Sequence, residues 1–151
     1  MTYKVNLTSG FYSKKVQRYN TTERQDLTTT FSDVLGSSIT YEPFYMSEKV
    51  LYEYITSWTY KDNTSKLVFR LLEYNTGTSS WDTINGATCT IKSLKQGSNQ
   101  ISIKFLLDTW QNNKQIKLEC KEAASDLEGY LHSNSENTKY FDPIVSCTGI
   151  K

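Results

Sequence analysis

The stretch Lys49-Val50-Leu51-Tyr52-Glu53-Tyr54-Ile55-Thr56-Ser57-Trp58-Thr59-Tyr60 decides the fold class. Val50, Tyr52, Tyr54, Trp58 and Tyr60 share one parity, while Glu53, Ser57 and Thr59 fall on the other. Successive side chains of an extended chain point to opposite faces, so a two-residue period describes a strand with one aromatic and one polar face. The aromatic and β-branched content of the same residues favours a pleated, half-buried surface.

Working outward, the turn signal Lys61-Asp62-Asn63 leads into a second long strand at residues 67–74. Its apolar residues lie on both parities, which predicts burial on both faces over part of its length. These two strands are expected to pair as a hairpin. Asn75-Thr76-Gly77, between Tyr74 and Trp81, supplies residues that tolerate positive φ and reads as a hairpin tip. Strands follow at residues 87–92 and, after Lys95-Gln96-Gly97-Ser98-Asn99, at 100–107, where Ile101, Ile103, Phe105 and Leu107 alternate with Ser102 and Lys104. Residues 115–123 repeat the arrangement with Ile116, Leu118 and Cys120 inward, and residues 127–132 and 142–150 complete the set.

A single helical turn at residues 123–127 is the most helix the pattern allows. The class is therefore all-β: a two-layer antiparallel β-sandwich, a jelly roll or a related Greek key. Residues 1–36 are rich in Thr, Ser, Asn and charge and hold only short candidate strands at 3–7 and 27–31. They read as an N-terminal arm or early edge strands, leaving residues 37–151 as the sandwich domain.

The 151 residues suit one domain with its own core. Seventeen Lys and Arg nearly cancel sixteen Asp and Glu, so no broad basic field is available for nucleic acid. No apolar run approaches the roughly 20 residues of a bilayer span, and the first ten residues carry no export pattern, so no membrane role is expected. Cys89, Cys120 and Cys147 are odd in number and widely spaced, which favours small hydrophobes in strands over a metal knuckle or disulfide framework.

No catalytic, cofactor or metal site emerges. His132 is the single histidine and sits in a polar stretch beside Ser133 and Asn134; Asp126 with Glu128, or Glu42 with Glu53, are scattered carboxylates of the kind that serve solubility. Asn-x-Ser/Thr triplets at Asn6, Asn20 and Asn63 reflect Asn and Thr abundance. Eleven Tyr in a chain 13% aromatic suit half-buried strands and protein interfaces equally. Tyr41, Phe44, Tyr45 and Met46, gathered around Pro43, form the main interface candidate, with Trp110 in a second loop. The alternative is a loop folded back over an open end of the sandwich. Tyr74 and Trp81 carry two readings as well: a platform that stacks on a glycan, or a cross-strand pair that pins register.

Several runs resemble structural proteins of tailed phages from marine hosts. They are Gly36-Ser37-Ser38-Ile39-Thr40-Tyr41-Glu42-Pro43 with Lys49-Val50-Leu51-Tyr52-Glu53-Tyr54, Leu72-Glu73-Tyr74-x-x-Gly77 with Trp81, and Phe105-Leu106-Leu107-Asp108-Thr109-Trp110 leading into Lys114-Gln115-Ile116-Lys117-Leu118. Tyr130-Leu131-His132 and Asp142-Pro143-Ile144 continue the likeness. The resemblance implies a small non-enzymatic sandwich on the virion surface, a homo-oligomer that decorates or cements the head by binding the major capsid protein or other virion proteins. Its rival is a tail-fibre or appendage domain that binds a host glycan or receptor.

Overall fold

In the computed structural model, which describes residues 11–20, 24–60, 65–92, 97–123, 129–133, 139 and 141–151, the alternating stretches are strands. In chain order they are β1 (Phe11–Arg18), β2 (Gln25–Asp26), β3 (Ser32–Asp33), β4 (Ile39–Tyr41), β5 (Lys49–Tyr60) and β6 (Lys66–Asn75). Then come β7 (Ser80–Lys92), β8 (Gly97–Asp108), β9 (Lys114–Glu122), β10 (Gly129–Leu131) and β11 (Ile144–Ile150). Among the described residues they form two antiparallel sheets. One runs β1-β11-β5-β8, with β10 and β2 continuing beside the far end of β5; the other runs β9-β6-β7, with β3 and β4 sharing the outer edge of β9.

The pairing is nested. β1 pairs with β11, β4 with β9, β5 with β8, and β6 with β7, so the outermost strands meet first and the innermost pair is a simple hairpin. Successive pairs alternate between the two sheets, as when one long ribbon is rolled on itself. This is the jelly-roll arrangement, and it selects between the two topologies that alternation alone left open.

Nesting also corrects the expected hairpin between residues 49–60 and 67–74. β5 pairs along its whole length with β8 on one edge and with β11 and β10 on the other, so β6 lies in the opposite sheet. Both strands bury an apolar face, and those faces meet across the interior instead of side by side. A second correction concerns residues 27–31, which lie between the short strands β2 and β3 instead of forming one. Of the readings offered for the N-terminal stretch, residues 11–18 take that of an edge strand, paired with β11 in unbroken register from Ser13 to Arg18. The strand expected at 3–7, the turn at Lys61-Asp62-Asn63, and most of the helical turn at 123–127 lie outside the described residues.

Period two determines which side chains meet. Val50, Tyr52, Tyr54, Trp58 and Tyr60 of β5 are all buried, as are Leu67, Phe69 and Leu71 of β6 and Ile116, Leu118 and Cys120 of β9. They face one another with Ile101 and Ile103 of β8 and Val145 and Cys147 of β11 in a single core. The phenols bring polar tips inward, and each finds a partner: Tyr52 donates to the Ser37 carbonyl and Tyr54 to the Leu35 carbonyl, both at 2.7 Å. The Asn99 amide donates to the Tyr60 hydroxyl at 2.8 Å. Burial pushes both Tyr52 and Tyr54 well above the ordinary phenol range, so they stay protonated donors.

Leu118 packs wholly inside this core, so Leu118→Ala removes apolar contact and leaves a void. It is expected to cost about 2–5 kcal/mol in urea unfolding, whereas Val16→Ala on the exposed outer face should stay within about 0.5 kcal/mol.

Candidate functional site

The connection from β4 to β5 splits the expected interface cluster in two. Tyr41 is the last residue of β4 and is 4% exposed; its hydroxyl donates to the Ser13 carbonyl at 3.1 Å and lies against the Ser13 hydroxyl. The Trp110 indole N–H donates to the Tyr41 carbonyl at 3.0 Å, and the two rings meet edge to face at 6.1 Å. Tyr41 is thus a core residue, and Trp110 is a half-buried brace behind it, not an exposed loop tip. Their hydrogen bonds explain the difference, because a polar handle with a partner inside the rim draws an aromatic ring inward.

Pro43 is also buried, and after it the chain turns outward. The Ser47 N–H donates to the Phe44 carbonyl at 2.8 Å and closes a tight turn over Phe44, Tyr45 and Met46. These three side chains are 36%, 85% and 52% exposed, with the Phe44 and Tyr45 ring centroids 4.5 Å apart. Three consecutive large apolar side chains are therefore held in solvent on a base fixed by Tyr41, Pro43 and the Phe44 N–H, which donates to the Ser13 hydroxyl at 3.3 Å.

A cleft of about 280 Å³ is lined by Trp110, Ile84, Asn85, Leu106 and Asp108, together with the ion-paired Glu73 and Lys114. A bulge in β7 contributes Ile84 and Asn85 to it. Arg70 pairs with Thr88 and Leu72 with Thr83, so residues 84–87 stand opposite Leu71 alone, and Gly86 adopts φ +76° to make the excursion. Sequence reasoning missed the cleft; the signal it offered was Asn85-Gly86 inside an otherwise continuous strand.

Tyr74 and Trp81 stand directly opposite one another on the outer face of the second sheet, ring centroids 5.3 Å apart, with the Lys117 ammonium 4.3 Å above the indole. Trp81 is half-buried by these neighbours. The hairpin tip works through the Asn75 carboxamide oxygen, which accepts from the Gly77 N–H at 2.9 Å, and the positive φ falls on Ser79 instead of Gly77.

His132 is placed differently from its polar sequence surroundings. It has no exposed surface and adopts φ +76°. Nε2 faces the Gln25 Oε1 at 3.2 Å, and Nδ1 faces the Thr56 hydroxyl at 2.9 Å. The Gln25 orientation is fixed, because its Oε1 also accepts from the Leu35 N–H and its Nε2 donates to the Asp33 carbonyl. Nε2 therefore carries a proton, and in the neutral ring the Thr56 hydroxyl donates to Nδ1. Burial lowers its pKa to about 4. Cys120 and Cys147 point into the core, where burial pushes their thiols up to about 12, away from the reactive thiolate. Among the described residues, no three His, Cys, Asp or Glu side chains stand together as metal ligands, and no helix is long and apolar enough to cross a membrane.

No protein-family model matches the chain, and no curated protein matches it. Among solved structures it is similar to infectious bursal disease virus Gx strain, with TM-score 0.48 and 9% identity over 97% of this chain and 40% of that one. It is also similar to Eiger TNF from S. frugiperda, with TM-score 0.40 and 8% identity over 85% and 92% of the two chains. A third is a Bacillus endospore appendage of a family of disulfide-linked pili, with TM-score 0.32 and 7% identity over 99% and 100%.

The His132 site generates a pH dependence whose sign follows from proton counts. The unfolded chain takes up a proton near the ordinary value of 6.5 and the folded chain only near 4, so stability falls as the pH drops between them. The loss approaches about 3 kcal/mol, at 1.36 kcal/mol per unit. His132→Gln, which keeps a hydrogen-bonding side chain without the titration, should flatten that part of the stability profile measured by denaturant unfolding.

Proposed function

We propose that this chain is a non-enzymatic structural protein of a virion, and that it decorates or cements a tailed-phage head by binding the major capsid protein. The turn at Phe44, Tyr45 and Met46 carries the reading. Large apolar side chains on a rigid turn cost solvent contact when free and gain most when a partner pocket covers them, and their fixed base reduces the ordering lost on docking. A protein that binds only the assembled shell stabilises it by mass action, so no chemistry is required of it. The resemblance of the segments around Tyr41, Tyr74 and Trp110 to tailed-phage structural proteins supports the same class.

Particles carrying the protein are expected to rupture at a higher temperature than particles lacking it. Tyr45→Ala should weaken attachment by 10-fold or more, about 1.4 kcal/mol, while leaving the melting temperature of the free protein unchanged. Equal rupture temperatures with and without the protein would remove the cementing role.

The appendage reading, glycan binding, is favoured by one observation: Trp110 shares its cleft with Asn85 and Asp108, an indole beside groups that pair with hydroxyls. Of the aromatics that could stack on a glycan, Tyr74 and Trp81 cover each other, which leaves Trp110. A glycan array tests it, with binding expected to be lost in Trp110→Ala and kept in Trp81→Ala.

A further inference from the structure

β8 leaves one edge open. It pairs with β5 without a break in register from Asp108 opposite Lys49 to Gly97 opposite Tyr60, and among the described residues its other edge has no partner strand. An unpaired edge is a template for another chain, and sandwiches blunt such edges with lysines, bulges or proline. The edge strand β1 carries Lys14, Lys15 and Arg18 and an irregularity between Phe11 and Ser13; β7 carries the bulge at residues 84–87. β8 has neither bulge nor proline, and its Leu106 is 62% exposed beside Leu51 on the outer face.

We propose that β8 is a self-association edge, to which a second copy of this chain adds its own β8 antiparallel about a two-fold axis through Leu106. Directly opposed residues in an antiparallel pair share a face, so this axis sets Leu106 against the second copy's Leu106 and Lys104 against its Asp108. Within one chain Lys104 is already opposite Glu53, with the charges 2.8 Å apart, and Asp108 is opposite Lys49, at 2.5 Å. Across the junction each outer row then reads Glu53, Lys104, Asp108, Lys49, alternating in sign, on either side of an apolar row of Leu51, Leu106, Leu106, Leu51. Lys104 and Asp108 have the reach for this, with side chains 58% and 90% exposed.

Neighbouring registers lose the match. An axis at Phe105 sets Leu106 against Lys104, one at Leu107 sets it against Asp108, and one at Lys104 brings two ammonium groups face to face. The overlap of residues 104–108 is as long as an ordinary strand. Isologous two-fold pairing of this kind closes on itself and gives a dimer, not a fibre.

The test uses the full chain in sedimentation equilibrium and cysteine cross-linking. Raising the concentration from micromolar to millimolar should bring the mass from 17.4 kDa to twice that value. Leu106→Cys should form a disulfide-linked dimer under mild oxidation, because opposed Cα atoms lie within disulfide reach. Ser102→Cys should not, since its two copies would stand about 27 Å apart along the strands. The wild-type chain, whose Cys120 and Cys147 are buried, is oxidised in parallel as the reference. Leu106→Arg should stay monomeric with unchanged circular dichroism and melting temperature. A wild-type chain that remains monomeric throughout, a Ser102→Cys chain that cross-links as readily as Leu106→Cys, or a folded Leu106→Arg chain that still dimerises would each overturn the proposal.

Discussion

The fold depends on satisfying the phenol oxygens that β5 carries into the core. Tyr52 and Tyr54 are both fully buried, and a buried hydroxyl without an acceptor costs several times what a hydrogen bond contributes. Their acceptors are the Ser37 and Leu35 carbonyls, on the turn between β3 and β4. That turn is itself bound to β9, since the Val34 N–H donates to the Leu118 carbonyl and the Leu118 N–H donates to the Ser37 hydroxyl. One sheet is thereby tied through the core to the edge of the other. Gly36 permits the turn, with φ +74° and a Tyr19 ring where a Cβ would stand.

A rim can display apolar side chains only if something beneath them is fixed. Tyr41, Trp110 and Pro43 supply that support, and the same hydrogen bonds that withdraw Tyr41 and Trp110 from solvent hold the backbone from which Phe44, Tyr45 and Met46 project. The chemistry of the cluster is thus divided between holding and displaying.

The outer faces follow a different logic. Arg70 with Glu119, Lys117 with Asp33 and Lys104 with Glu53 form cross-strand ion pairs, and Arg70 and Lys117 also lie over the rings of Phe31 and Trp81. Each exposed pair is worth at most about 1 kcal/mol, so these groups set register and solubility more than stability. The first sheet keeps apolar Val16, Leu51 and Leu106 among its charges, giving that face a mixed character.

Alternation within β5, β8 and β9 was legible in the chain, and with it the all-β class and the inward residues; for Phe44, Tyr45 and Met46 it left open whether the loop projects or folds back. Local period reports which side of a strand is buried, and that property belongs to the strand alone. It says nothing of which edge meets which, so the partner of β5 was misread as β6. No strand was drawn at residues 11–18 themselves, because Ser13, Lys15 and Gln17, which stand opposite Gly149, Cys147 and Val145 of β11, are polar and leave no apolar alternation. His132, Tyr41 and Trp110 were likewise placed only by long-range partners: Gln25 is 107 residues from His132, and Trp110 is 69 from Tyr41. Sequence determined the strands and their faces through neighbours along the chain; the tertiary structure decided pairing, burial of polar aromatics and the open edge, because those depend on where distant segments close the roll.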